Sequence, residues 1–376
     1  MKVNGSCAVW SELLNEAVPC DGEVHFNYWR LSRPRNRLLA WVISCFVTPK
    51  RDFVEVGVWL DNPAAVSKVV IYLPGHEWSL EDVGLKFNNP NIAQGIFNEQ
   101  LTSRRAGDPQ PPCVELQKPD ESIFCRVHLF SEDGKTLPIN QLSVAKVGGG
   151  KSITITRPAL DQIANIGRNA PAYFRLRAYW HGAAAGNPFV TEERPHDRAF
   201  QSSFSVLEFI DFRLNESRTL PREIAQPLTK PGLVKCRLIA FLTAVPIQSD
   251  IVMSSSDPNK KRMLERDLWT EYVNGLPKGM VVYHWRRPPK GNGDVAPAAD
   301  GALKDFTAIV KIHKRHTGVA ALLLYLFLAF LIAIAGNLVA SGIWERWNVK
   351  PEVAQPVQPT NNLTISEPTT TKGLKK

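Results

Sequence analysis

FVEVGVWLDNPAAVSKVVIYLP, residues 53–74, sets the fold class of this 376-residue chain. Its two arms, 53–61 and 68–74, are dense in β-branched and aromatic residues, which suit the pleated, half-buried surface of a strand. Asp61-Asn62-Pro63 stands between them as a loop, because Pro has no amide hydrogen to give a ladder. Two strands and a turn are therefore expected.

The same texture runs outward in both directions. IFCRVHLF (123–130), SITITRP (152–158), YFRLRAYW (173–180), FSVLEFIDFRL (204–214) and LVKCRLIAFLTAV (233–245) are further strand candidates. GMVVYHWR (279–286) and FTAIVKIH (306–313) continue the series. LLAWVISCFV (38–47) is too short to span a bilayer and reads as a buried strand. Turn signals such as EDGK (132–135) and VGGGK (147–151) separate some of these runs.

Helical spacing is confined to two stretches. NPNIAQGIFNEQL (89–101) places Ile92, Ile96 and Phe97 on one face, with Asn89 as cap and Pro90 in the first turn. DPNKKRMLERDLWTEYV (257–273) places Met263, Leu264, Leu268 and Tyr272 at helical spacing after Asp257-Pro258. Strands joined by loops argue for antiparallel pairing. The expected fold is mainly β, an antiparallel sandwich or barrel of the α+β kind with a few helices. Residues 1–225 are expected to form a β-rich domain. Residues 226–316 are either its continuation or a second small α+β subdomain, since RTLPREIAQPLTKPG (218–232) interrupts the strands.

Near the carboxyl terminus the texture changes. Thr317 to Trp344 contains no charged residue, and its heart is GVAALLLYLFLAFLIAIAG (318–336). About 20 apolar residues cross a hydrocarbon core, so this stretch predicts one transmembrane helix. Trp344 and Trp347 suit one interface. The cluster KIHKRH (311–316) precedes the helix, against Glu345, Arg346 and Lys350 after it. The positive-inside rule then puts the large domain in the cytoplasm and a disordered tail, 345–376, outside, as in a bacterial inner membrane. The opening residues carry Glu12 and Glu16 and no apolar run, which agrees with a domain that is not exported. Six cysteines, at 7, 20, 45, 113, 125 and 236, are expected to stay as thiols in a reducing compartment.

Composition excludes a disordered chain: 44% of residues are hydrophobic and 22% charged. The formal charge of +9 suits an anionic ligand or lipid surface. It is spread along the chain rather than gathered in a basic tail, which speaks against nucleic acid.

The motifs that promise chemistry mostly dissolve on inspection. Ala145-Lys-Val-Gly-Gly-Gly-Lys151-Ser152 resembles a phosphate-binding loop, but that chemistry needs a following helix, and ITIT follows instead. A glycine-rich turn is the expectation. TEERPHDR (191–198) gathers Glu192, Glu193, His196 and Asp197 without a second His at metal spacing, and reads as a solvated loop. No metal, cofactor or catalytic residue is assigned.

Two patterns remain. Arg175 and Arg177 alternate on one strand face, where they form a possible fork for phosphate or carboxylate, and Arg126 and His128 repeat the alternation. On the membrane helix, Ala329, Ala333, Asn337 and Ser341 recur every fourth residue, bordered by Gly336 and Ala340. Small residues allow close helix packing and an intramembrane Asn can hydrogen-bond across a pair, so self-association is expected there. The reading is a membrane-tethered sensing or binding module, such as a bacterial signalling or defence effector that clusters at the bilayer. Its partners would be an anionic small ligand, a protein, or a second copy. The alternatives are a membrane-bound hydrolase or nucleotide-dependent enzyme with a dispersed active site, and a docking subunit of a membrane complex.

Overall fold

The computed structural model describes residues 5–31, 52–106, 112–167, 169–182, 186–193, 205–287, 302–315 and 319–347. The candidate strand at 38–47, with Cys45, lies outside them, as do His196 and Asp197. Residues 1–316 gather into one compact unit and residues 317–376 into another.

The first unit is mainly β. Its largest sheet runs, edge to edge, β16 (Lys260–Met263), β17 (Met280–Arg287), β14 (Lys235–Pro246), β2 (Asp21–Trp29), β3 (Phe53–Leu60), β11 (Ala172–Trp180), β8 (Ile123–His128), β7 (Cys113–Gln117) and β6 (Thr102–Ala106), with β5 (Trp78–Asp82) also on β11. A second sheet orders β1 (Ala8–Leu13), β4 (Val66–Pro74), β10 (Gly150–Ile155) and β9 (Leu142–Val147). A third orders β12 (Val190–Glu193), β13 (Ser205–Leu214), β18 (Phe306–Arg315) and β15 (Ser249–Ser254). A single bridge, Cys7 to Leu214, links the two smaller sheets. Most pairings are antiparallel, but β14 lies parallel to β2 and β11 parallel to β8. Parallel neighbours need a long crossover. Between β8 and β11 the chain supplies one through β9 and β10, and between β2 and β14 it passes through all three sheets.

The period of two decides which side of the large sheet is core. Val24 and Phe26 of β2, Val56 and Val58 of β3, Phe174 of β11, Phe241 of β14 and Trp285 of β17 share one face. There they meet Val69 and Ile71 of β4, Phe212 of β13 and Val310 of β18. Phe212 and Phe241 stack with centroids 4.3 Å apart. Each such side chain contributes about 1.5–3 kcal/mol when fully buried. The sandwich is therefore closed on this side, and the alternate residues form its outer face.

Short helices close three parts of the sandwich: the first covers that outer face at Trp29 and Phe53, the second joins the shared core through Leu160 and Ile163, and the third covers the second sheet at Trp10 and Tyr72. Helix α1 (Pro90–Phe97) opens on Asn89, whose side chain accepts from the Asn91 amide at 3.0 Å, and closes on Asn98 at φ 57°. Helix α2 (Arg157–Ala164) begins directly after β10 with Pro158 in its first turn. The expected strand therefore ends three residues early, at Ile155, because Pro in a first turn opens a helix rather than merely closing a strand. Helix α3 (Arg222–Ala225) is a single turn.

The expected helix at 257–273 divides. Lys260–Met263 pairs with β17 as an edge strand, and only Arg266–Thr270 is helical, as α4. The free edge of β17 offers ladder hydrogen bonds to this charged run, and Lys and Arg are residues that edges tolerate. Met263 is 51% exposed in consequence, Leu264 and Tyr272 are buried as expected, and Leu268 is only partly buried.

The VGGGK stretch is a two-residue hairpin turn between β9 and β10, with Val147 opposite Gly150. Gly148 and Gly149 sit at φ 50° and 86°, the left-handed region that such a turn requires. Lys151 Nζ donates to the Trp78 carbonyl.

The second unit carries helix α5 (Val319–Trp347). Within it Tyr325–Trp347 has a mean hydropathy of 2.3 and is unburied, so among the described residues there is one helix long and apolar enough to cross a membrane. Ala329, Ala333, Gly336, Asn337, Ala340 and Ser341 all lie on it, exposed.

Candidate functional site

A cleft of about 860 Å3 opens on the outer face of the large sheet. Its floor follows from strand register. Glu23, His25 and Asn27 alternate out of β2, Leu238, Ala240 and Leu242 out of β14, and Val282, His284 and Arg286 out of β17. Lys260 stands directly opposite His284, and Arg262 opposite Val282, so β16 lines the rim. Trp59 of β3, Phe97 of α1 and Phe124 of β8 enclose the far end.

On the same face, a buried ionic network on β3 and β11 flanks the floor, and Arg175 from it lines the cleft. Glu55 accepts from Arg175 Nη2 at 2.6 Å and from Arg177 Nε at 2.9 Å. Burial alone would raise the Glu55 carboxyl, but the two guanidinium groups hold it below the usual carboxylate range. Arg175 also donates to the hydroxyls of Tyr272 and Tyr173, at 2.9 and 2.7 Å. Arg177 donates to the Tyr272 carbonyl at 3.1 Å, and its guanidinium lies 4.5 Å from the centre of the Phe53 ring.

The network surfaces at His25. Its Nδ1 lies 3.2 Å from the Tyr173 hydroxyl and its Nε2 3.3 Å from Glu23. The Glu23 carboxylate can only accept, so the histidine donates to it through Nε2, and in the neutral ring Nδ1 then accepts from the Tyr173 hydroxyl. Gly57 permits this arrangement, since a Cβ there would run into the Tyr173 hydroxyl.

One end of the cleft is strongly basic. Lys260, Arg262 and Arg286 surround His284, and burial together with these cations and His25 pushes its pKa down to about 4. At neutral pH it is an uncharged imidazole. Arg262 lies 3.5 Å from Glu265, whereas Lys260 and Arg286 have no carboxylate partner among the described residues. At the other end Trp59 donates to Asp61 at 2.9 Å, and Glu99 also lines the wall. Trp59, Phe97 and Phe124 form a partly exposed cluster, with centroids 5.1 to 6.0 Å apart. The charge in the cleft is thus divided, with cations on β16 and β17 and carboxylates toward β2 and β3.

The four expected anion-binding residues fall into two groups. Arg175 and Arg177 share a face, but both are buried and their donors are committed to Glu55 and the tyrosines. Arg175 lines the cleft and Arg177 lies behind it, but neither forms an open fork. The strand that carries Arg126 and His128 does neighbour theirs, yet the register pairs Arg126 with Ala172, which turns both residues to the opposite face. There Arg126 donates to Glu115 at 3.0 Å and His128 packs 5.3 Å from Phe174. A joint basic patch is therefore not formed.

The residues that do line the cleft carry a readable signal. Glu23, His25 and Asn27 alternate with Val24, Phe26 and Tyr28, which is the period of a strand with one polar face. Among the described residues, no cluster of His, Cys, Asp and Glu could hold a metal ion. Outside the cleft, Ser79 Oγ lies 2.5 Å from His181 Nε2 at an exposed position. Neither a protein-family model nor a curated protein matches this chain.

Proposed function

We propose that this protein is a membrane-tethered binding module that takes an anionic small ligand in the cleft of its large sheet. The observation that carries the reading is the unmatched positive charge there. Among the described residues, Lys260 and Arg286 line the cleft without a carboxylate partner, whereas the buried Arg30, Arg126, Arg175 and Arg177 are each matched to an acid. Unmatched cations that converge in a concave site attract anions, and a neutral His284 beside them adds a donor without needing a counter-ion. The long apolar helix supplies the tether. The KIHKRH flank and the free thiols of Cys7, Cys20, Cys113, Cys125 and Cys236 support a cytoplasmic domain, as at a bacterial inner membrane. A role as a signalling or defence effector that clusters on ligand binding fits this layout.

The test is a melting curve of the detergent-solubilised full chain with sodium tripolyphosphate, against sodium chloride at equal ionic strength. Tripolyphosphate should raise the midpoint of wild type, and Lys260→Gln with Arg286→Gln should abolish the rise. An equal midpoint in both salts for wild type would refute anion binding in the cleft.

A hydrolase is the second reading, and the Ser79–His181 contact favours it. A fluorophosphonate probe should then label Ser79 and fail on His181→Gln; an unlabelled wild type removes this reading.

A further inference from the structure

Resting on the anion-binding reading, we infer that the ligand is a nucleotide, laid across four strands with its phosphates on Lys260, Arg262 and Arg286 and its base against Trp59, Phe97 and Phe124. The order of chemistry across the sheet carries this. Moving from β17 to β14, β2 and β3, the cleft presents cations, then an apolar floor, then Glu23 and His25, then rings. Three strand spacings separate the first of these from the last, about 14 Å. A nucleoside with a chain of phosphates spans that distance, and a free phosphate does not.

Each zone matches one part of such a ligand. The cationic rim takes phosphate oxygens, with Lys260 as a point charge and Arg286 as a fork. Leu238, Ala240 and Leu242 leave a smooth apolar bed between the rim and β2. Glu23 uses one carboxylate oxygen toward His25 and is about one-third exposed, so it remains open to accept from sugar hydroxyls. The indole N–H of Trp59 is already held by Asp61, which fixes that ring in the wall. Asp61 and Glu99 then stand where the amino groups of a base would reach. A simple anion would make no use of three aromatic rings and three carboxylates.

The experiment is calorimetric titration of the detergent-solubilised full chain with the four ribonucleoside triphosphates, linear dinucleotides, adenosine and tripolyphosphate. At least one nucleotide should bind about ten-fold or more tightly than tripolyphosphate, the contribution of one stacked base. Trp59→Leu should remove that advantage and leave tripolyphosphate affinity unchanged, while Arg286→Gln should weaken both. Lys151→Ala, in the glycine hairpin, should change neither. Circular dichroism of each variant checks that the sandwich is intact, and Trp59→Phe, which keeps a ring, should retain most of the nucleotide affinity. If tripolyphosphate binds as tightly as every nucleotide, or Trp59→Leu leaves the ratio unchanged, the nucleotide assignment falls and the anion site stands. If neither class binds, both readings fall together.

Discussion

Glu55 sits at the centre of the ionic network beside the cleft, fully buried and held by two arginines that are themselves buried. Removing one partner of such a group leaves unmatched buried charge, at a cost of about 3–5 kcal/mol. Glu55→Gln should therefore lower stability by that order in urea unfolding of the full chain, and blunt ligand binding with it. His128 gives a second prediction, set by pH. Burial pushes its pKa from the ordinary 6.5 down to about 4, against a hydrogen bond to Gln141. The folded state thus disfavours the protonated form, so this stabilisation is complete above pH 6.5 and is lost as pH falls toward 4. Each unit of the depression corresponds to about 1.4 kcal/mol. The stability difference between wild type and His128→Gln should shrink steadily from pH 7 to pH 4.5; a constant difference would exclude the linkage. Sequence alone places Arg175 and Arg177 on one face, because alternation is local. It cannot tell that Glu55, on another strand, lies between them, because register across a ladder is not local.

At the scale of single elements, the strands that open the reading, 53–61 and 68–74, appear nearly as drawn, and so does the Asn89-capped helix. These segments are legible because their periodicity and their end signals agree. The run at 257–273 is not, because KKRM has no strong preference and an open strand edge decides its state. The cleft shares this weakness: Lys260 and Arg262 come from that same run, and Glu23 and His25 from an amino-terminal strand whose alternation is visible but short. Gly57 provides a test of how strand and site are joined. Adding a methyl group there forces the Tyr173 hydroxyl aside and breaks its link from Arg175 to His25. Gly57→Ala should cost about 1–3 kcal/mol, as overpacked sites do, whereas Gly149→Ala, in open space at φ 86°, should cost only its backbone strain of about 1–2 kcal/mol. Denaturant midpoints of the two variants compare them directly.

For the molecule as a whole, residues 1–316 form a compact unit, so a chain ending at His316 should be soluble, folded and richer in strand than helix by circular dichroism. Insolubility of that fragment without detergent would show that the helix does more than tether. Protease added to intact cells should trim only the segment after Trp347; digestion of the large unit from outside would reverse the proposed orientation. The Ala329, Ala333, Asn337, Ser341 stripe lies unburied on its helix, and interhelical hydrogen bonds in bilayers contribute only about 0.6–2 kcal/mol. Ala333→Leu with Asn337→Leu should weaken crosslinking in membranes while Leu326→Ala does not. The parallel pairing of β2 with β14 bears on biosynthesis. His25 and Ala240 touch across the ladder although they come from opposite ends of the unit's sequence, and Arg286 joins them later still. Such distant pairing is slow to form, because loop-closure entropy must be met before the contact contributes. A chain stopped before Arg286 lacks part of the floor of the cleft, so a ligand would bind and stabilise only molecules whose synthesis has passed that point. Occupancy of the site would then mark chains that carry the whole large sheet, with shorter products left to proteases.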